Sequence, residues 1–199
     1  MRSYACRPRF VRTDLRCRRP AHHDHRRLSW LRLVRGHRVC GALLGVHQDD
    51  DHVDVTDGVG RDADGLAEAK AAVAGMGRRC ETIAADLSKA IETRKAARTA
   101  LVRFGAIDIL VNNAGIALID PLAEATDADW DLTMAVNLKA VFLLSQAAGR
   151  YFLDLGHGKI INIASQAAVV ALTNHLAYCT SKYGLLGLTQ VMALEWGPR

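Results

Sequence analysis

From position 64 onward the chain alternates between two hydrophobic rhythms. Residues 65–75 (GLAEAKAAVAG) are alanine-rich and end on a glycine, as helices often do. Residues 80–85 (CETIAA) predict a strand and 91–104 a second helix. Residues 107–111 form a short, wholly apolar run of the kind buried in a parallel sheet. A long helix over 128–155 follows, then a continuous apolar strand at 160–164 and another long helix that includes 178–196. Strands that alternate with helices imply an α/β fold, a doubly wound parallel sheet. Ligands of such sheets bind beyond the carboxyl ends of the strands, and Asp86, Asn113 and Ser165 all fall at such ends.

The 128–155 helix carries one irregularity. Its apolar stripe reads Trp130, Met134, Val141, Leu144 and Ala148, and Asn137 sits on that stripe where an apolar residue is expected. A buried polar side chain must find partners or cost stability. Asn137 is therefore either a core asparagine bonded to nearby backbone or a residue with chemical work to do.

Composition divides the chain in two. Residues 1–61 hold 13 Arg, no Lys or Glu, seven Asp and six of the eight His, which leaves about +6. The remaining 138 residues are close to neutral, so the net charge of +5 belongs to the first third. The arginines show no helical face and no interleaved aromatic platform, which argues against nucleic acid as a partner. Arg-rich, acid-poor openings occur in transit peptides, but this one is poor in Ser and has no amphipathic period. No apolar run approaches 18 residues, so no membrane span is expected. The five cysteines form no C-x-x-C pair, and a reducing cytoplasm is the expected location. Two clusters, His22-His23-Asp24-His25 and the run from His47 to His52, have metal-ligand chemistry without evident scaffold, and no metal is expected.

The densest chemistry lies at the end of the 160–164 strand. Ser165 closes that run, and thirteen positions later Tyr178 is followed, four residues on, by Lys182. Residues four apart in a helix share a face. A free tyrosine ionises near pH 10, and a fixed ammonium beside it favours the phenolate, which makes it a usable acid/base. A strand-end serine could hold the oxygen that trades the proton. The rival readings are an ordinary helix pair for Tyr178 and Lys182, and a simple cap for Ser165.

Ser165, the Tyr178-x-x-x-Lys182 motif and Asn112-Asn113-Ala114-Gly115 about fifty residues upstream of the serine resemble the short-chain dehydrogenase/reductase family. The resemblance runs from about Arg61 to the last residue. It implies a Rossmann-like fold, NAD or NADP as cofactor and a small-molecule alcohol or ketone as substrate. It makes Tyr178 the general acid/base, Lys182 its electrostatic partner and a ligand of the nicotinamide ribose, and Ser165 a hydrogen-bond donor to the substrate oxygen. Asn137 matches the family's catalytic asparagine, which supports a water in the proton relay. Asp86 and Leu87 match positions that contact adenine, with a plain helix cap as the rival for Asp86. Asn113, Ala114 and Gly115 match the segment beside the cofactor, whereas Asn112 matches a position that stabilises the sheet. The resemblance also implies a homo-oligomer formed through 128–155 and 178–196.

The first sixty residues depart from the family, which opens with a strand, a T-G-x-x-x-G-x-G turn and a helix that receives the pyrophosphate at its N-terminus. Here Gly41 and Gly45 could match two glycines, but Cys40 and His47 stand where a threonine and a third glycine belong. Residues 1–60 thus read as an atypical segment in place of the first βαβ unit, from a mispredicted start or a shifted reading frame, with a partial Rossmann-type domain at 61–199. Arg61 and Asp62 lie near the place that selects NAD or NADP without deciding it. Members of the family continue past the equivalent of Arg199, so the sheet is expected to be incomplete at the C-terminus. The wording SQAAVVALTNHLAYCTSK and MALEWGP is most like polyol and sugar-acid dehydrogenases, with 3-oxoacyl reductases and steroid-type enzymes as rivals. The other outcome is a catalytically inactive chain that lacks a working phosphate turn.

Overall fold

The computed structural model describes residues 41–49, 52–104 and 107–199. The arginine-rich opening and the His22-His23-Asp24-His25 cluster lie outside them, as do the side chains of the His47 to His52 run. Five strands form one sheet: β1 (Gly41–Asp49), β2 (His52–Gly60), β3 (Thr82–Ala84), β4 (Ile109–Asn112) and β5 (Lys159–Asn162), in the order β3-β2-β1-β4-β5. The helices are α1 (Ala63–Gly75), α2 (Ala90–Phe104), α3 (Asp127–Met134), α4 (Ala140–Leu155) and α5 (Leu176–Trp196). Each expected helix of the body is present, and the fold is Rossmann-like α/β.

The sheet differs from the expected one in a single strand. β2 runs parallel to β3, and β4 parallel to β5. β1 lies between these pairs and is antiparallel to both, with Gly41 opposite Gly60 and Leu43 opposite Val111. Four strands therefore point one way and β1 points back. The reason is chain length. A parallel neighbour needs a crossover of a dozen or more residues, and only two residues separate β1 from β2. The alternation His52-Val53-Asp54-Val55 also has strand period and not helix period. Gly41 and Gly45 consequently lie within β1, with Gly45 at an irregularity in the ladder, and form no turn.

Small side chains let the helices approach closely. Ala96, Ala97 and Ala100 of α2 meet Ala140, Leu144, Ala148 and Phe152 of α4 in one core that also takes Val59, Leu87, Ile107 and Leu110. Gly149 on α4 leaves room for Trp196, since a Cβ there would come within 2.5 Å of the indole. The run Asp127–Leu155 is long and apolar enough to cross a membrane by length and composition. Half of its most apolar window is nonetheless buried in the fold, as in a core helix.

A π-turn, Ala135–Lys139, joins α3 to α4. Such a turn holds one residue more than an α-turn and rotates what precedes it by about one position. Thr133, and not Met134, therefore shares the buried face with Asn137, and Trp130, expected on the stripe, is 36% exposed.

Polar side chains tie the strand ends to the helices. Asn112 Nδ2 donates to Ser145 Oγ on α4 at 3.0 Å and to Asn162 Oδ1 on β5 at 2.8 Å. Asn162 Nδ2 then donates to Thr189 Oγ1 at 2.9 Å, and Thr189 donates to the Leu185 carbonyl at 2.7 Å, both on α5. Asn112 is 2% exposed, so losing its amide strands buried partners. Asn112→Ala should lower stability in urea unfolding by about 1–3 kcal/mol. A loss below about 0.5 kcal/mol, the scatter of neutral surface changes, would remove this network from the account of the fold.

Candidate active site

The ends of β4 and β5 and the first two turns of α5 converge on one cluster. Tyr178, Ser181, Lys182 and Leu185 follow one face of α5, and the last three are buried. Lys182 is 5% exposed. Its Nζ donates to the Ile163 carbonyl just beyond β5 at 2.7 Å and lies 5.8 Å from the centre of the Tyr178 ring. Burial pushes the Lys182 ammonium below its ordinary pKa of 10.5.

Asn137, fully buried, reaches this cluster from the π-turn. Its Oδ1 accepts from the Ile116 N–H at 2.8 Å, and its Nδ2 donates to the Ile116 carbonyl at 2.8 Å and to Ser181 Oγ at 3.1 Å. Ser181 in turn donates to the Tyr178 carbonyl at 2.7 Å. Asn137 therefore clamps the segment that follows Gly115 against the helix that carries Tyr178 and Lys182. Its side chain does what a core asparagine does, and it does so inside the cluster.

Ser165 sits just past β5 and caps the 3-10 turn Gln166–Ala168, with its Oγ accepting from the Ala167 N–H at 3.2 Å. The cap uses an acceptor lone pair and leaves the O–H free to donate to something else. The capping and chemical readings are compatible. Gly115 faces the middle of the cluster. A Cβ there would stand 3.5 Å from Asn137 Oδ1 and 3.7 Å from Lys182 Nζ, so a side chain would fill the space in front of the lysine. Asn113 is partly buried, and Ala114 is packed in the core.

Asp86 and Leu87 follow β3, which is separated from β4 by β2 and β1, and make local contacts of their own. Asp86 Oδ1 accepts from the Ser88 backbone at 3.0 Å and the Ser88 hydroxyl at 2.7 Å, and the Asp86 N–H donates to Glu92 at 2.8 Å. The Ser88 hydroxyl holds the Asp86 carboxyl below the usual carboxylate range, with Lys89 and Arg61 adding to it. These bonds close a turn at 86–89, ahead of the first residue of α2. The Leu87 side chain belongs to the hydrophobic core.

Two residues outside the sequence-based set take part. Ser181 is a buried polar residue one position before Lys182, and the argument that singled out Asn137 applies to it equally. His175 precedes α5 with its ring 6.2 Å from that of Tyr178 and its Nδ1 2.6 Å from the Thr173 carbonyl. Beyond it, a cavity of about 240 Å³ is lined by Leu118, Asp120, Trp130, Asn174, Leu176 and Ala177. Its two loops are stitched by the Asp120 N–H donating to the Asn174 carbonyl at 3.0 Å.

The residues at the ends of β4 and β5 fit the reacting half of a nicotinamide cofactor: an open cradle at Gly115, a fixed ammonium and a tyrosine beside it. At β1 the fit fails. The edge where the other four strands end receives the start of β1, not its end, and the next element is a strand rather than a helix.

The family model described as short chain dehydrogenase matches residues 46–199. The D-threitol dehydrogenase of Mycolicibacterium smegmatis is 48% identical over 134 residues, covering 67% of this chain and 52% of that protein. An NAD-dependent glycerol dehydrogenase of Listeria innocua is 50% identical over 92 residues, covering 46% of this chain and 36% of that protein. Among solved structures, a gluconate 5-dehydrogenase from Burkholderia cenocepacia in complex with NADP and tartrate superposes with a TM-score of 0.65 at 34% identity. That match covers 72% of this chain and 55% of the other. The chain spans about half the length, or less, of these relatives.

Burying Lys182 has a consequence for stability. With its folded pKa lowered, the unfolded chain binds more protons between that value and about 10.4, so stability rises with pH through that window. Lys182→Met carries no such penalty. In urea unfolding its stability relative to the native chain should therefore be highest near neutral pH and should decline as the pH approaches 10. A difference that is constant or grows with pH would show that the ammonium is not strained by burial.

Proposed function

The chain belongs to the short-chain dehydrogenase family, and we propose that it interconverts a secondary alcohol and a ketone, with a small polyol or sugar-like compound as substrate and NAD or NADP as cofactor. The observation that carries the proposal is the cluster of Tyr178, Lys182, Asn137 and Gly115 at the end of β4 and the head of α5, with Ser165 just past β5. When bound, the nicotinamide supplies the acceptor or donor for the hydride. The chain does the rest. Ser165 donates to the substrate oxygen through its free O–H. Tyr178 takes the alcohol proton during oxidation and returns it during reduction. Lys182 keeps a positive charge near the phenol and offers a donor to the cofactor ribose. Asn137 holds the 115–116 backbone in place, and the widened turn around it offers main-chain groups to a water in the relay.

A polyol class is supported by the named substrates of the relatives and by the cavity that reaches Leu176 and Ala177, just before Tyr178 in the chain, and mixes Asp120 and Asn174 with leucines. Such a lining offers acceptors to several hydroxyls. Tyr178→Phe tests the chemistry. It should lower turnover of a polyol by about 10²–10⁴-fold, the usual worth of a positioned acid/base, with an unchanged unfolding midpoint. Turnover within tenfold of the native value would remove Tyr178 from the role.

Self-association through 128–155 and 178–196 is supported by a groove of about 710 Å³ between the two helical runs, lined by Met134, Leu138, Phe142, Gly184 and Leu188. Phe142 is 42% exposed there. A second copy would cover this surface. Phe142→Glu should shift the chain from dimer or tetramer to monomer in light scattering after size exclusion. An unchanged mass would place the contact elsewhere. An alternative reading, a catalytically inactive chain that lacks a working phosphate turn, is supported by the reversed β1.

A further inference from the structure

We propose that this chain recognises only the nicotinamide-ribose half of its cofactor, and that the pyrophosphate and adenosine add almost nothing to binding. The inference rests on the nicotinamide-dependent function proposed above and concerns how the cofactor is held. A pyrophosphate is bound in α/β sheets by backbone N–H groups at a helix N-terminus placed at the carboxyl edge of the strands. That edge is defined here by the ends of β2, β3, β4 and β5 at Gly60, Ala84, Asn112 and Asn162. β1 enters the edge at Gly41 and leaves the sheet at Asp49 on the opposite side. Among the described residues, it is followed by a strand and delivers no helix N-terminus to the centre of the crevice.

The neighbouring helix starts do not replace it, because each presents the chain's own carboxylates, Asp62 and Asp64 at α1 and Glu92 at α2. α1 begins two residues after β2, and there Asp62 accepts from the Gly65 N–H at 3.2 Å. At the approach to α2, Glu92 accepts from the Asp86 N–H at 2.8 Å, and Asp86 accepts from the Ser88 N–H at 3.0 Å. The Asp86 and Glu92 carboxyls both lie below their ordinary pKa values, so they carry full negative charge. The cation between them is engaged too: Lys89 lies 3.1 Å from Glu92 and 3.7 Å from Asp86. A pyrophosphate arriving beside β2 and β3 would meet like charges there. Like charges in such positions oppose binding. At the far end of the crevice, the Gly115 cradle and Lys182 retain what the nicotinamide end needs.

The test is a titration of the full chain with reduced nicotinamide mononucleotide, NADH and NADPH, followed by tryptophan fluorescence, with ADP-ribose as competitor. The expected result is three dissociation constants within about threefold of one another, a difference of under half of one tenfold step. ADP-ribose should not displace any of them, and Lys182→Met should abolish all three signals. Binding of NADH or NADPH more than about thirtyfold tighter than the mononucleotide, or displacement by ADP-ribose, would overturn the inference and leave the proposed function standing. Absence of saturable binding by all three would overturn both.

Discussion

A buried ammonium must be given an oxygen, and much of this site follows from how Lys182 meets that demand. Its only way to stay charged at 5% exposure is a strong acceptor nearby, and the Ile163 carbonyl at 2.7 Å supplies one. That bond fixes α5 against the end of β5, where Ser165 begins its turn. Once α5 is fixed, Tyr178 stands one helical turn above the lysine, and Ser181 is turned inward to receive Asn137. The charge still costs stability, as its lowered pKa records. A fold selected only for stability would place methionine or leucine there, so the retained ammonium points to work done by the charge.

Much of this arrangement was legible in the sequence because it depends on short-range rhythm. Helix existence followed from apolar period and from glycines such as Gly156, which closes α4 at φ 78°. Strand boundaries were less exact. Ile107 is buried but lies outside β4, because the β4–β5 ladder begins with the Lys159 N–H donating to the Asp108 carbonyl at 2.9 Å. It extends to Asn112, whose carbonyl accepts from the Ile163 N–H. A polar strand end of that kind gives no apolar signal. Asn137 could be flagged as a polar residue on an apolar stripe, yet the stripe itself was misaligned upstream. A straight-helix period cannot anticipate the extra residue of a π-turn, and for that reason Thr133 took the buried place expected of Met134 and Trp130 became partly exposed.

The contacts of Asp86 were not legible either. Sequence places an aspartate after a strand and before a helix, where it can cap or receive a ligand, and both roles use the same oxygens. Only the positions of Ser88 and Glu92 show that the local bonds are made. The side chains of the site thus fall into two groups. Asn137, Ser165 and Ser181 meet structural needs through part of their hydrogen-bonding capacity and keep the site in shape. Asp86 satisfies Ser88 with one oxygen and faces the Lys89 ammonium with the other at 3.7 Å.

The direction of β1 connects these observations. A parallel sheet gathers the ends of its strands at one edge, so chemistry contributed by distant parts of the sequence can meet there. β2 to β5 obey that rule, and Asp86, Leu87, Asn113, Ala114, Gly115 and Ser165 each lie beyond one of them. Two residues between β1 and β2 leave no length for a crossover, and the hairpin is the outcome that pairs both strands at least cost. The hairpin preserves the sheet, because an antiparallel strand bonds to β2 and β4 as well as a parallel one does. It does not preserve the phosphate turn, because that turn depends on direction and not on pairing. Stability and cofactor recognition therefore separate at this strand: the same substitution of connectivity that the fold tolerates removes the one feature of the crevice that depends on which way the chain runs.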